Sequence, residues 1–148
     1  MTEPLLSILV ESWNADDEVV DKLRRLLAAL EQQTLPFRQL EVVIAVDVEA
    51  TTAIAELATD YPNVVVVPLR STGVFAMNNA ALRRARGRHI AYLHSDVVPS
   101  PVWAERLVRA LEDGADVSVG RTAYVPKTLM ARTSSLFDFG HVQATTPA

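Results

Sequence analysis

Asn79-Ala80-Ala81-Leu82-Arg83-Arg84-Ala85-Arg86-Gly87-Arg88-His89-Ile90-Ala91-Tyr92-Leu93-His94-Ser95-Asp96 carries three signals in one run. Its first part continues a segment of helical period that opens at Ser71-Thr72-Gly73, and the periodicity predicts an apolar face of Phe75, Leu82 and Ala85. Gly87 stands where such a helix should stop, because glycine accepts helix-ending backbone conformations without steric cost. His89 to Leu93 then reads as a strand, and His94-Ser95-Asp96 sets polar side chains directly after it. Helix, stop, strand and polar end in this order form part of a fold in which crossover helices join parallel strands.

The rest of the chain repeats the pattern. Leu5 to Val10 is a first β-branched run, and Asp16 and Asp17 offer N-cap chemistry to a helix that places Val19, Leu23, Leu26, Leu27 and Leu30 on one face. Glu41 to Val46 is a second strand, apolar enough after Glu41 to be covered on both faces. A short helix around Ile54 to Ala58 follows, and Val64 to Val67 is a third strand that Pro68 should close. Downstream, a helix through Trp103, Leu107 and Leu111 should end at Gly114, and Val117 to Val119 should begin a fifth strand. The class is therefore α/β, with a mainly parallel sheet flanked by helices. After Arg121 the periodicity fades, which divides the chain into a domain over 1–125 and a tail over 126–148 that lacks a packing partner.

Composition narrows the function. With 148 residues and 49% hydrophobic content the chain can bury one sizeable core. A formal charge of -4 offers no broad basic face, which argues against nucleic acid as a partner. The absence of cysteine removes disulfides and thiolate metal sites, and it suits a cytoplasmic setting. No apolar run approaches the length of a membrane span. Leu129, Met130, Leu136, Phe137 and Phe139 form a late apolar cluster that predicts association of the chain with itself or with another chain.

In an open α/β sheet, ligands bind beyond the carboxyl ends of the strands, where helix N-termini and loop amides converge. Strand one ends in Glu11-Ser12-Trp13-Asn14, strand two in Asp47, strand three in Arg70-Ser71-Thr72-Gly73 and strand four in His94-Ser95-Asp96. Acids, hydroxyls, an aromatic ring and a cation together suit a nucleotide diphosphate with a divalent metal. Each residue also has a plainer reading. Asp47 serves equally well as a turn residue, Asp96 as a helix cap, His94 as a hydrogen-bonded strand end, Trp13 as packing and Arg70 as a surface cation.

The stretch from Asn79 to Asp96, with Leu5-Leu6-Ser7-Ile8-Leu9-Val10 before Asn14 and Glu41-Val42-Val43-Ile44-Ala45-Val46-Asp47, resembles the family 2 glycosyltransferases of GT-A fold. The likeness runs from Leu5 to about Val125, with Asn79 to Asp96 similar to the family's helix, A-x-G turn and strand leading into its DxD motif. It implies that Asp47 contacts the nucleotide base and that Asp96, with His94 beside it, holds a divalent metal (Mn2+ or Mg2+) at the diphosphate. It implies as well that Ser12 to Asn14 border the nucleoside and that Glu11, Arg70, Asn79 and Ser95 lie near a UDP- or GDP-linked sugar. Three departures stand out. His94 replaces the first Asp of DxD, a single acid at Asp47 stands where the family carries a pair, and no segment matches the one that bears the catalytic base. Asp138 is the last acid in the chain and the only late candidate for that base. The acceptor-side part of the fold is accordingly expected to be missing, and the isolated chain to lack substantial transfer activity.

Other classes fit less well. A nucleotide-binding or regulatory module that keeps the fold without turnover remains open. A dinucleotide-binding oxidoreductase would need glycines where Glu11-Ser12-Trp13-Asn14 stands. A phosphoacceptor receiver would need a lysine after the last strand, and Gly120-Arg121-Thr122 stands there instead.

Overall fold

A computed structural model of the chain describes residues 3–12, 18–70 and 73–120. The chain divides into two units, Met1–Ala115 and Asp116–Ala148, and all the helices and strands among the described residues belong to the first. They run β1 (Leu6–Glu11), α1 (Val19–Glu31), a short 3-10 turn (Phe37–Gln39), β2 (Leu40–Asp47), α2 (Thr51–Ala58), β3 (Val64–Leu69), α3 (Val74–Arg84), β4 (His89–His94) and α4 (Trp103–Glu112). The four strands form one sheet in the order β3-β2-β1-β4, and every pairing is parallel. The α/β class read from the alternation is therefore the observed fold.

The sheet is covered on both faces. On one, Leu6, Ile8, Val10, Val42, Ile44 and Val46 meet α1, α2 and α4; on the other, Leu9, Val43 and Ala45 meet α3. β1 and β2 are buried nearly throughout, as continuous apolar runs require in a doubly covered parallel sheet. The buried residues of α1 are Val19, Leu23, Leu26, Leu27 and Leu30, the five that the periodicity puts on one face. α4 ends in a Schellman motif: Ala115 N–H donates to the Ala110 carbonyl at 3.0 Å, Gly114 N–H to that of Leu111 at 3.2 Å, and Gly114 takes φ of 100°. Gln33 ties α1 to α4. Its Oε1 accepts from the Ala104 N–H at 2.9 Å, satisfying a free donor in the first turn of α4.

Four expectations need correction. Residues 117–119 form no strand, and the sheet among the described residues has four strands. β3 continues through Pro68 to Leu69, because β3 is an edge strand and an edge position loses no ladder bond to the missing N–H. The buried face of α3 is Met77, Ala80 and Ala81, whereas Phe75 is 84% exposed and Leu82 is also exposed. The packing of α3 on Leu9, Val43 and Ala45 turns those three positions inward, so Phe75 and Leu82 fall on the outer side of the helix whatever their size. Gly87 does not end α3 either, since the helix stops at Arg84 with Ala85 already extended.

Close approach is what Gly87 provides. A Cβ at this position would lie 2.4 Å from the Ser7 backbone nitrogen and 2.6 Å from its Oγ. The Gly87 N–H donates to Ser7 Oγ at 2.7 Å, and that hydroxyl donates to Glu41 Oε2 at 2.5 Å. Glu41, 1% exposed, also accepts from the Arg86 backbone N–H at 2.7 Å and from Arg86 Nε at 2.8 Å. Burial alone would raise the Glu41 carboxyl, but these donors and the Arg86 charge outweigh it and hold the group below its ordinary value. The link between α3 and β4 is thereby fastened to β1 and β2 at the N-terminal end of the sheet.

Candidate functional site

Because all four strands are parallel, their carboxyl ends fall on one edge. Across that edge come Arg70 after β3, Asp47 at the end of β2, Glu11 and Ser12 at the end of β1, and His94, Ser95 and Asp96 at the end of β4. Asp47 and the His94–Asp96 turn thus flank β1 on either side, with backbones about two strand spacings, or roughly 10 Å, apart. The chain goes from β1 to β2 on one side, while β4 lies on the other. The order of strands reverses here, and such a point leaves a crevice open for ligands.

The register also sets the facing. Glu11 pairs with His94 across β1 and β4, and with Ala45 across β1 and β2. Strand alternation therefore puts Glu11, His94 and Asp47 on the α3 side of the sheet. Glu11 is buried, and its Oε1 meets Nδ1 of His94. The His94 side chain remains 67% exposed, so a buried carboxylate holds a ring that reaches solvent. Ser95 is half-buried, Asp96 is exposed, and the Val97 N–H donates to the His94 carbonyl at 3.1 Å to close the turn.

The other candidates are used in different ways. Asp47 takes up its turn role: its Oδ1 accepts from the Glu49 N–H at 3.0 Å, and its carbonyl accepts from Thr51 Oγ1 at 3.1 Å, at the entry to α2. Ser12 is fully buried and donates its hydroxyl to the Ala45 carbonyl at 3.2 Å, bracing β1 against β2. Arg70 is exposed directly after β3. Asn79 is exposed near the middle of α3, set back roughly 7 Å along the axis from the first residue of the helix. Trp13, Asn14, Ser71, Thr72 and Asp138 lie outside the described residues, as does the cluster from Leu129 to Phe139.

No three His, Asp or Glu side chains among the described residues converge into a metal cage. A single exposed carboxylate such as Asp96 nevertheless fits the way a hard divalent cation is held beside phosphates, with the ligand's own oxygens completing the shell. Sequence reasoning picked out both Glu11 and His94 but not their pairing. Only the β1–β4 register brings together residues so far apart in the chain.

Comparisons with known proteins agree with this architecture. Residues 7–138 match the family model described as glycosyl transferase family 2. EpsH of Bacillus subtilis is 28% identical over 123 residues, covering 80% of this chain and 34% of EpsH. The glycosyltransferase AglE of Haloferax volcanii is 25% identical over 128 residues, covering 83% of this chain and 41% of AglE. Among solved structures, S. aureus TarS 1-349 in complex with UDP superposes with a TM-score of 0.61 at 23% identity, over 73% of this chain and 32% of that one. The mannosyltransferase PcManGT of Pyrobaculum calidifontis, in complex with GDP-Man and Mn2+, gives 0.59 at 22% identity, over 96% of this chain and 39% of that one. These two show the GT-A fold, and the chain spans well under half the length of each relative.

Proposed function

Because the chain belongs to glycosyl transferase family 2, we propose that its carboxyl edge binds a nucleotide-diphospho-sugar together with a divalent cation, as the donor side of a transfer to an acceptor. The observation that carries this reading is the convergence of Arg70, Asp47, Glu11 and the His94–Asp96 turn on one edge of a parallel sheet where the strand order reverses. Asp47 is the residue for the base, Asp96 holds the cation, and Arg70 and Asn79 attend the diphospho-sugar. Glu11, Ser12 and Ser95 shape the floor between them. The UDP held by TarS and the GDP-Man and Mn2+ held by PcManGT supply the ligand classes. A cytoplasmic setting belongs to the same reading, supported by the cysteine-free sequence. No described helix is long and apolar enough to cross a membrane.

The chemistry divides into two tasks. A bound cation would offset the negative charge that builds on the departing diphosphate. Asp96 and the polar edge serve that task. The other task is to take a proton from the acceptor hydroxyl, which contributes roughly two to four orders of magnitude and needs a base within hydrogen-bond reach. Asp47 and Asp96 have donor-side roles in this reading, which leaves Asp138 as the late candidate within this sequence. The chain by itself is accordingly expected to bind donor nucleotide and to turn over little. Calorimetry with UDP and GDP, with and without Mn2+, tests the donor reading; binding that ignores the metal and survives Asp96→Ala would defeat the cation role. Incubation with UDP- and GDP-sugars tests turnover, and robust transfer abolished by Asp138→Asn would assign the base here. Tight nucleotide binding with no transfer to any acceptor, even with added partner segments, would favour a regulatory module.

A further inference from the structure

Glu11 and His94 end neighbouring strands and stand side by side in the β1–β4 register. The two side chains differ sharply in setting: 8% of the Glu11 side chain is exposed and 67% of that of His94. The contact runs from Nδ1 of the ring to Oε1 of the carboxylate. An ionised carboxylate can only accept, so the pairing places a proton on Nδ1. In the neutral ring the lone pair then sits on Nε2, across the ring from Glu11.

We infer that Glu11 is a positioning residue that holds His94 in its Nδ1–H tautomer, so that Nε2 offers a lone pair to a divalent transition ion at this edge. The inference rests on the donor-side reading of the edge and deepens it by naming the ion preference. Ring nitrogen suits the later transition ions best, and Mn2+, which also takes carboxylate and water oxygen, accepts it more readily than Mg2+ does. A histidine that ligates a metal commonly donates its other N–H to a carboxylate, which fixes the ring and raises the basicity of the ligating nitrogen. Glu11 stands in that relation to His94. With Asp96 two residues further along, the chain contributes one nitrogen and one oxygen, and phosphate and water oxygens are left to fill the remaining positions. A histidine here without Glu11 would sit mostly in the Nε2–H form that predominates in water, with its lone pair turned inward.

The tautomer can be read without any ligand. Long-range 1H–15N correlation of the labelled chain separates the two forms, and His94→Asn assigns the signal among the three histidines. The expected result is Nδ1–H in the wild type and a change to Nε2–H in Glu11→Gln, which preserves shape and allows the amide to donate to Nδ1. Mn2+ alone, added to the nucleotide-free chain, should broaden the His94 signals, and Glu11→Gln should weaken that Mn2+ binding about 10- to 100-fold. His94→Asp should narrow the preference for Mn2+ over Mg2+, and it reports on the site even if Glu11→Gln folds poorly. A wild-type His94 in the Nε2–H form, or unchanged Mn2+ affinity in folded Glu11→Gln, overturns the inference. If Mn2+ and the tautomer behave as expected but neither UDP nor GDP binds, the donor-side reading fails while the role of Glu11 stands.

Discussion

The two ends of the sheet each bury a glutamate on the same face, and they use it differently. At the N-terminal end, Glu41 is surrounded by donors from Ser7 and from the backbone and side chain of Arg86, and Gly87 closes over the Ser7 hydroxyl. At the C-terminal end, Glu11 meets an imidazole whose ring is mostly in solvent. What lies opposite the carboxylate makes the difference. Glu41 faces the returning backbone between α3 and β4, where the Ser7 hydroxyl, the Arg86 N–H and Arg86 Nε satisfy it and burial shuts out a ligand. Glu11 faces an edge that the strand order leaves open, and the ring it holds reaches solvent. The first arrangement holds the fold together, and the second is the one that the proposed function puts to use.

Substitutions that destroy only one end would sharpen this contrast. The largest loss is expected for Gly87→Val, whose side chain would begin 2.4 Å from a backbone nitrogen of β1. Backbone cannot yield as a flexible side chain does, so denaturant unfolding should show a loss of at least about 3 kcal/mol. Glu41→Gln comes next, at about 2 kcal/mol, because buried donors lose a charged acceptor. Acid should expose the same group. The folded Glu41 carboxyl lies below its ordinary value of 4.5, so its contribution is complete above that value and is lost as pH falls through the lower, folded one. The thermal midpoint of the wild type should therefore fall more steeply than that of Glu41→Gln below about pH 4.5, and parallel curves would refute the assignment.

Smaller effects separate packing from exposure. Met77→Ala should cost about 2 kcal/mol and Phe75→Ala less than about 0.5, since the first side chain is buried against the sheet and the second is in solvent. Equal costs would restore the helix face expected from periodicity. Asp96→Ala should change stability least, within about 0.5 kcal/mol, while removing the Mn2+-dependent part of nucleotide binding. If it unfolds the protein instead, the C-terminal edge is structural and the comparison breaks.

Most of the scaffold was legible in the residues themselves. The face of α1, the double burial of β2 and the stop at Gly114 follow from periodicity, β-branching and the backbone freedom of glycine, all of which act over a few neighbouring positions. The face of α3 was misread for a physical reason. Periodicity assigns the largest apolar groups to the core, but the side of α3 that meets the sheet is set by tertiary packing, which turns Met77, Ala80 and Ala81 inward and leaves Phe75 and Leu82 outside. Pro68 misled in a similar way, because whether a proline ends a strand depends on whether that strand lies at an edge. The candidate site was half legible: strand ends identify its members, and the plain turn role of Asp47 appears alongside any ligand role.

Local residue chemistry alone determined that this is an alternating α/β chain with polar strand ends, since each strand and helix is encoded by short-range pattern. Strand order and register were decided only in three dimensions. They set Glu11 beside His94 and Ser7 beside Glu41, and they brought Gly87 against β1, because pairing between distant segments depends on how whole faces pack and not on any local signal.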